Sequence, residues 1–316
     1  MTAIMRALAL TGFDVPPSVI DVPVPEPAAG EVVVRVGAAS VNAYDTFLAM
    51  GAMKDYLPYE FPAVIGMDVA GVVETVGEDV KGLAPGDRVF GTMGTKPAVH
   101  DGTFGELVAA QASALAPTPD GVDDPQGGTL GVAGTTALSA VNALEPAQGD
   151  RVLIVGATGG VGCFAIQLAT ARGAHVIASI RPGDEEFVTD LGAAETADYT
   201  ADLTATVRER YPDGVDGVLD LVSRDPGAFA ALAALAREGG RAASSVGGAG
   251  ESTQCGGVAV SNVGGNPALL RPLAELVSEG RLRAPIRRTY RLEDAATALQ
   301  DFTNEHTLGK LVIVTE

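Results

Sequence analysis

Val152-Leu153-Ile154-Val155-Gly156-Ala157-Thr158-Gly159-Gly160-Val161-Gly162 decides the fold of this chain. An apolar β-type run enters a glycine-rich turn, a helical pattern follows from Val161 to Arg172, and Gly173 stops it. A second apolar segment, Val176-Ile177-Ala178, comes next. Strand, glycine turn, helix and strand in that order form the unit that holds a dinucleotide pyrophosphate. Gly159 lets backbone N–H groups approach phosphate oxygens where a Cβ would intrude, and Gly162 lets the helix sit close to the strand. The helix N-terminus then offers unpaired donors and partial positive charge to the anion. Ala157 replaces the first glycine of the usual G-x-G-x-x-G, with Gly156 one position earlier. The turn residues Gly156, Ala157, Thr158, Gly159, Gly160 and Val161 are therefore candidate coenzyme contacts.

The end of the second strand bears on which coenzyme is bound. An acidic residue about 20 positions past the glycines would take the ribose hydroxyls of NAD. Here Ser179 is followed by Arg181, whose guanidinium can grip a 2′-phosphate with two parallel hydrogen bonds. The expectation is NADP(H), with Asp184, Glu185 and Glu186 opposing it if they face the phosphate.

With 316 residues the chain is long enough for two domains, and 47% apolar content is ample for packed cores. A formal charge of −19 repels phosphate backbones and anionic lipid, so neither nucleic acid nor membrane is an expected partner. No run of about 18 apolar residues is present. The stretch Met1 to Leu10 lacks a signal-peptide layout, and the expected location is cytoplasmic. Two cysteines, Cys163 and Cys255, and three scattered histidines make a zinc site an unexpected feature.

Residues up to about 120 read as short β segments separated by Gly, Pro and Asp turns, a barrel-like β domain. Asp124 to Leu144 reads as two helices with Gly134 between them. From Arg151 strands and helices alternate, which means a parallel sheet covered on both faces. The turn Gly239-Gly240-Arg241 is expected to precede a strand from Ala242 to Val246. The tail closes with a strand, Gly309-Lys310-Leu311-Val312-Ile313-Val314. The domain expectation is residues 1–122 with 265–316 as one discontinuous β-rich domain and 123–264 as a doubly wound dinucleotide-binding domain.

The N-terminal half carries a second, more specific pattern. Gly66-Met67-Asp68-Val69-Ala70-Gly71-Val72-Val73 continues through Val76-Gly77 to Gly86-Asp87-Arg88-Val89. With Ala39-Ser40-Val41-Asn42, Asp101-Gly102-Thr103-Phe104-Gly105-Glu106 and Gly309-Lys310, the chain resembles the medium-chain dehydrogenase/reductase superfamily, and within it the zinc-free quinone oxidoreductase branch. The resemblance implies an α/β protein with a GroES-like catalytic domain, a Rossmann domain and a site in the cleft between them. Where zinc-dependent members place metal ligands, this chain has Val41-Asn42 and Gly66-Met67-Asp68, and the cluster of four structural-zinc cysteines is missing. Without a Lewis acid, an already activated acceptor is the fitting substrate: a quinone or a carbonyl-conjugated C=C.

By this resemblance Asn42 lies near nicotinamide and substrate, donating to an oxygen on which charge builds, or it simply ties a turn. Thr136 contacts the nicotinamide amide, or caps a helix. Tyr56 lines the substrate pocket as a proton donor or planar clamp, with Tyr59 competing and a plain surface loop as the alternative. Tyr199 stacks near the 2′-phosphate; the lysine that relatives carry after the second strand is absent. Asp68 orders the cleft and Asp45 is structural. The leading expectation is an NADPH-dependent quinone or enone reductase, commonly a homodimer in this family. Enoyl-thioester reduction, or a non-catalytic NADPH-binding sensor or scaffold, are the alternatives.

Overall fold

A computed structural model describes residues 3–315. The chain divides into two compact units, one running to Val132 and resuming at Pro267, the other Ala133–Asn266. Residues 123–132, which the sequence pattern assigns to the dinucleotide-binding segment, pack instead with the β-rich unit. The reason is local: Asp124 Oδ1 accepts from Arg88 Nη2 at 2.6 Å, and Val132 N–H donates to Asp68 Oδ1 at 2.6 Å.

The β-rich unit is organised around the strand Glu31–Ser40. Val32, Val33, Val34 and Val36 are buried and only Arg35 is exposed, so most of this strand is covered on both faces. Three strands pair antiparallel with it: Asp68–Val76, Leu107–Gln111 and Lys310–Val314. Ala38 pairs with Ala70, so two residues on, Ser40 stands across from Asp68. On the other side Val312 pairs with Ser40, and Val41 N–H donates to Leu311 O, so the next step sets Lys310 across from Asn42. Ser40, Asn42, Asp68 and Lys310 are thus gathered by strand register from three distant parts of the sequence. A smaller sheet, Ser18–Pro23, Ile4–Leu10 and Ala63–Val64, completes this unit.

The second unit is a seven-stranded sheet. Six strands are parallel: Arg151–Val155, His175–Ile180, Glu195–Asp198, Val215–Asp220, Ala236–Ser244 and Val258–Asn262. In chain order they lie 3-2-1-4-5-6, the doubly wound dinucleotide-binding arrangement. Gln254–Cys255 adds an antiparallel edge. Val152, Leu153, Ile154 and Val155 are all buried, as both faces of a covered parallel strand require.

Two local expectations give way to the structure. The strand after the helix Pro226–Ala233 begins at Ala236 and runs through Gly239-Gly240 where a turn was expected. A shift in pairing between Val215 and Gly217 and a left-handed Gly239 (φ 75°) absorb the irregularity, so the glycines serve a bulge. Asp124 to Leu144 forms a short helical turn Asp124–Gly127, a π-helical turn Leu130–Gly134 and the helix Thr135–Leu144, with Gly134 ending the π turn. Among the described residues no helix is long and apolar enough to cross a membrane.

Candidate functional site

In the parallel-sheet unit the expected coenzyme residues cluster at the carboxyl ends of three adjacent strands. Arg151–Val155 ends in Gly156, whose left-handed backbone (φ 83°) makes the sharp exit. Gly156 is therefore the turn glycine that the shifted motif required. Gly162 is needed by the protein itself: a Cβ there would fall 2.3 Å from Gly156 O and 2.6 Å from Ala157 O. Gly159 differs. Its φ is −75°, and an added Cβ would meet only Gly156 O, at 3.5 Å. Neither packing nor backbone strain demands a glycine there, which leaves open space directly at the N-terminus of the helix Gly160–Ala171. Gly159 provides no side-chain cap for that helix, so the first-turn N–H groups of Gly160, Val161 and Gly162 are available to an anion. Ala157 and Thr158 are buried beneath the turn, with the Cys163 thiol donating to Thr158 O at 3.3 Å.

Ser179, buried at the end of the neighbouring strand, accepts from Gly156 N–H through its Oγ at 3.3 Å and fixes the turn against that strand. Two residues later Arg181 is exposed. Its Nε donates to the Tyr199 hydroxyl at 2.5 Å, and its guanidinium carbon lies 5.8 Å from the Tyr199 ring centre. Tyr199 follows the next parallel strand, Glu195–Asp198, which explains the meeting of the two. Of the neighbouring acids, Glu185 turns back to accept from Gly183 N–H at 2.8 Å. The resulting surface is a glycine cradle flanked by a guanidinium held at a tyrosine, a donor set that fits the pyrophosphate of a nicotinamide dinucleotide. Thr136 is buried in the first turn of the helix Thr135–Leu144, whose N-cap position is taken by Gly134.

In the β-rich unit Asn42, Ser40, Asp68 and Lys310 form one buried polar cluster. Asp68 Oδ2 accepts from Ser40 Oγ at 2.5 Å and from Asn42 Nδ2 at 2.8 Å, and its Oδ1 accepts from Val132 N–H. Lys310 Nζ donates to Asn42 Oδ1 at 2.7 Å and to Val41 O at 2.9 Å, and stands 3.9 Å from Asp68 Oδ2. The second amide hydrogen of Asn42 goes to Ser40 O. Both amide hydrogens and the oxygen of Asn42 are thus engaged inside the protein, which goes against the reading of a donor free for a substrate oxygen and with the alternative of a structural tie. Burial pushes the Asp68 carboxyl above its ordinary range, against Lys310, Asn42, Ser40 and Val132 N–H, all of which favour the anion. Asp45 accepts from Asn42 N–H at 2.7 Å through one oxygen while its other oxygen is buried without a partner. Burial first, and the Asp68 charge second, push the Asp45 carboxyl up to about 8.

The helix Ala43–Ala49 carries this cluster on one side and a cavity on the other. Tyr44 and Leu48, four residues apart and so on one helical face, line a cavity of about 190 Å³ with Leu57, Ile65, Met67 and Met93. The polar side chains on its wall are Tyr44, Thr95, Lys96 and Asp101. Lys96 Nζ is bound to Glu31 Oε1 at 2.6 Å and lies 3.4 Å from Asp101 Oδ2. Tyr56, the phenol expected here, is 79% exposed and does not line the cavity. Tyr59 donates to Leu48 O at 3.1 Å and packs edge-on against Phe13. Tyr44 is the tyrosine that sequence reasoning missed. The available signal was its four-residue spacing from Leu48 on a short helix, which the more suggestive loop tyrosines obscured.

An alcohol dehydrogenase GroES-like domain model matches residues 28–120, and a zinc-binding dehydrogenase model matches residues 191–313. The chain is 29% identical over 309 residues to the chloroplast envelope quinone oxidoreductase homolog of Arabidopsis thaliana, spanning 93% of this chain and 92% of that protein. It is 38% identical over 187 residues to the mitochondrial NAD(P)H oxidoreductase RTN4IP1 of Mus musculus, spanning 54% of this chain and 46% of that one. Among solved structures, the quinone oxidoreductase from Coxiella burnetii superposes with a TM-score of 0.86 at 29% identity, covering 99% of this chain and all of that one (100%). The fold is that of the nicotinamide-dependent oxidoreductases with a GroES-like and a Rossmann-like domain. The chain belongs to the medium-chain dehydrogenase/reductase superfamily and is an oxidoreductase of the quinone oxidoreductase type.

Among the described residues the zinc in one family description finds no fitting donor set. Both oxygens of Asp68 are hydrogen-bonded within the protein and an ammonium stands beside them. Among the described residues no group of three His, Cys, Asp or Glu side chains is placed to hold a metal ion.

Proposed function

We propose that this protein is an NADPH-dependent reductase that acts on quinones or α,β-unsaturated carbonyl compounds without zinc. The observation that carries the reading is the chemistry of the cavity. Its walls are mostly apolar, its ammonium is already matched by Glu31 and Asp101, and Asp101, the one carboxylate among the residues lining it, faces that ammonium. Such a site suits a neutral acceptor that is electrophilic before it binds.

Gly156, Ala157, Thr158, Gly159, Gly160 and Val161 would seat the pyrophosphate on the helix N-terminus, with Ser179 bracing the turn. Arg181 and Tyr199 would receive the 2′-phosphate, which favours NADPH over NADH. Thr136 would contact the nicotinamide amide. When bound, NADPH supplies a hydride. Asn42 then acts by position: it joins Asp68 and Lys310 and anchors the start of the helix that carries Tyr44 and Leu48 to the cavity. A homodimer and a cytoplasmic location complete this reading.

Oxidation of NADPH and NADH by the purified protein, with a panel of quinones and enones and with a chelator present, is the test. NADPH oxidation that survives the chelator is the expected result. Silence across the panel with both coenzymes would overturn the reading.

A further inference from the structure

We propose that Tyr44 is the catalytic acid of this site: its hydroxyl donates a hydrogen bond to the carbonyl oxygen of the acceptor and passes it a proton as the acceptor is reduced. This rests on the quinone or enone reading, and it assigns a step to a residue that the resemblance did not single out.

Four polar side chains line the cavity, and three are unsuited to the task. Lys96 is held between Glu31 at 2.6 Å and Asp101 at 3.4 Å. The charge of Asp101 faces that same ammonium. Thr95 is exposed, on the solvent side. Tyr44 is half-buried, its ring packs against the hydrophobic core of the β-rich unit, and its hydroxyl has no hydrogen-bond partner among the described residues. The other two tyrosines of this region are committed elsewhere, Tyr59 to Leu48 O and Tyr56 to the surface. Burial, and then the neighbouring Asp45, raise the Tyr44 phenol above its ordinary value, so it carries its proton throughout the neutral range.

The balance is simple. The reduced coenzyme is oxidised as its hydride forms a C–H bond at the acceptor carbon conjugated to the carbonyl; the C=C π pair shifts, negative charge collects on the carbonyl oxygen, the Tyr44 O–H bond breaks, and an O–H bond forms on the acceptor. The electron pair of the broken bond stays on the phenolate, which water reprotonates. A quinone leaves with its oxygen protonated; an enone leaves as its enol, which becomes the saturated ketone in water. A donor aimed at the atom where charge develops stabilises the transition state more than the ground state.

The test uses Tyr44→Phe, which keeps the ring and its packing. Turnover of enones should fall on the order of 100-fold. A second readout is independent of turnover: the infrared C=O stretch of an inert saturated ketone bound to the protein with oxidised coenzyme. That stretch should lie lower in the wild type than in Tyr44→Phe, because only the former donates to the oxygen. Tyr56→Phe is measured in parallel. Wild-type turnover together with an unchanged rate and unchanged C=O stretch in Tyr44→Phe would overturn the assignment and leave the reductase intact. Loss of the shift in Tyr56→Phe, with none in Tyr44→Phe, would also overturn it. A wild type silent towards every acceptor would instead overturn the reductase reading, and this step with it.

Discussion

Lys310 Nζ stands 3.9 Å from Asp68 Oδ2, with the two side chains 3% and 0% exposed. Strand pairing on either side of Glu31–Ser40 brings them together, and Asn42 bridges them. Removing one member of such a pair leaves an uncompensated charge in the interior. Lys310→Met is therefore expected to destabilise the protein by about 3–5 kcal/mol at neutral pH. Asp68 can answer by binding a proton, so the deficit should shrink as pH falls. Asp68→Asn in the same chain removes the stranded charge and should recover part of the loss. Urea unfolding of the single and double variants measures both effects; equal midpoints for Lys310→Met and wild type would show the pair to be inert.

Asp45 predicts a pH dependence. Its carboxyl is pushed from 3.8 in the unfolded chain to about 8 in the folded protein, by burial and then by the Asp68 charge. The folded state therefore holds a proton that the unfolded state has released. The stability this contributes is fully present below about pH 4 and is lost as pH rises towards 8. Asn at this position still accepts from Asn42 N–H and cannot ionise. Asp45→Asn is expected to flatten that decline, so that its advantage over wild type grows with pH across the window. Melting temperatures recorded at several pH values give the comparison, and parallel profiles for the two proteins would refute it.

How far the sequence carries depends on how local each feature is. The turn at Gly156 and the helix Gly160–Ala171 are legible because an apolar run, the glycines and the helical period are contiguous. Arg181 and Tyr199 are legible as a pair only because consecutive parallel strands end side by side. The engagement of Asn42 is not legible. Lys310 lies 268 residues away, and only the register of the closing strand brings it there. Asn42 consequently reads in sequence either as a donor to substrate or as a turn tie, and in the fold its carboxamide is bonded to Asp68, Ser40 and Lys310. Strand Val258–Asn262 is likewise hidden, because the segment before it is glycine-rich and lacks the helical crossover that would announce a parallel strand. Tyr44 is hidden by shortness: seven residues give too little periodicity to show which face meets a cavity.

Two glycines of the turn should separate folding from coenzyme binding. A Cβ at Gly162 would sit 2.3 Å from Gly156 O, backbone that cannot give way cheaply. A Cβ at Gly159 meets only an ordinary contact at 3.5 Å. Gly162→Ala is expected to lower the melting temperature. Gly159→Ala is expected to leave it unchanged, or slightly raised through a less free unfolded chain, while weakening coenzyme binding by crowding the phosphate. Thermal melts and calorimetric titration with NADPH resolve the two. Undiminished NADPH affinity in Gly159→Ala would mean the pyrophosphate does not lie over this residue.

In the proposed reading the choice between the two nicotinamide coenzymes falls on Arg181. Its guanidinium is oriented by the Tyr199 hydroxyl at 2.5 Å and keeps further N–H donors for an anion. A hydrogen bond to a charged phosphate contributes roughly 1.5–3 kcal/mol, so Arg181→Gln should weaken NADPH binding on the order of 10- to 100-fold. NADH has no 2′-phosphate and should be little affected. Tyr199→Phe keeps the ring under the guanidinium and removes only the oriented hydroxyl, so its effect should be smaller and in the same direction. Dissociation constants for both coenzymes across the three proteins decide the matter. If Arg181→Gln weakened NADH and NADPH equally, the arginine would support the fold of the loop and the phosphate would have to be recognised elsewhere.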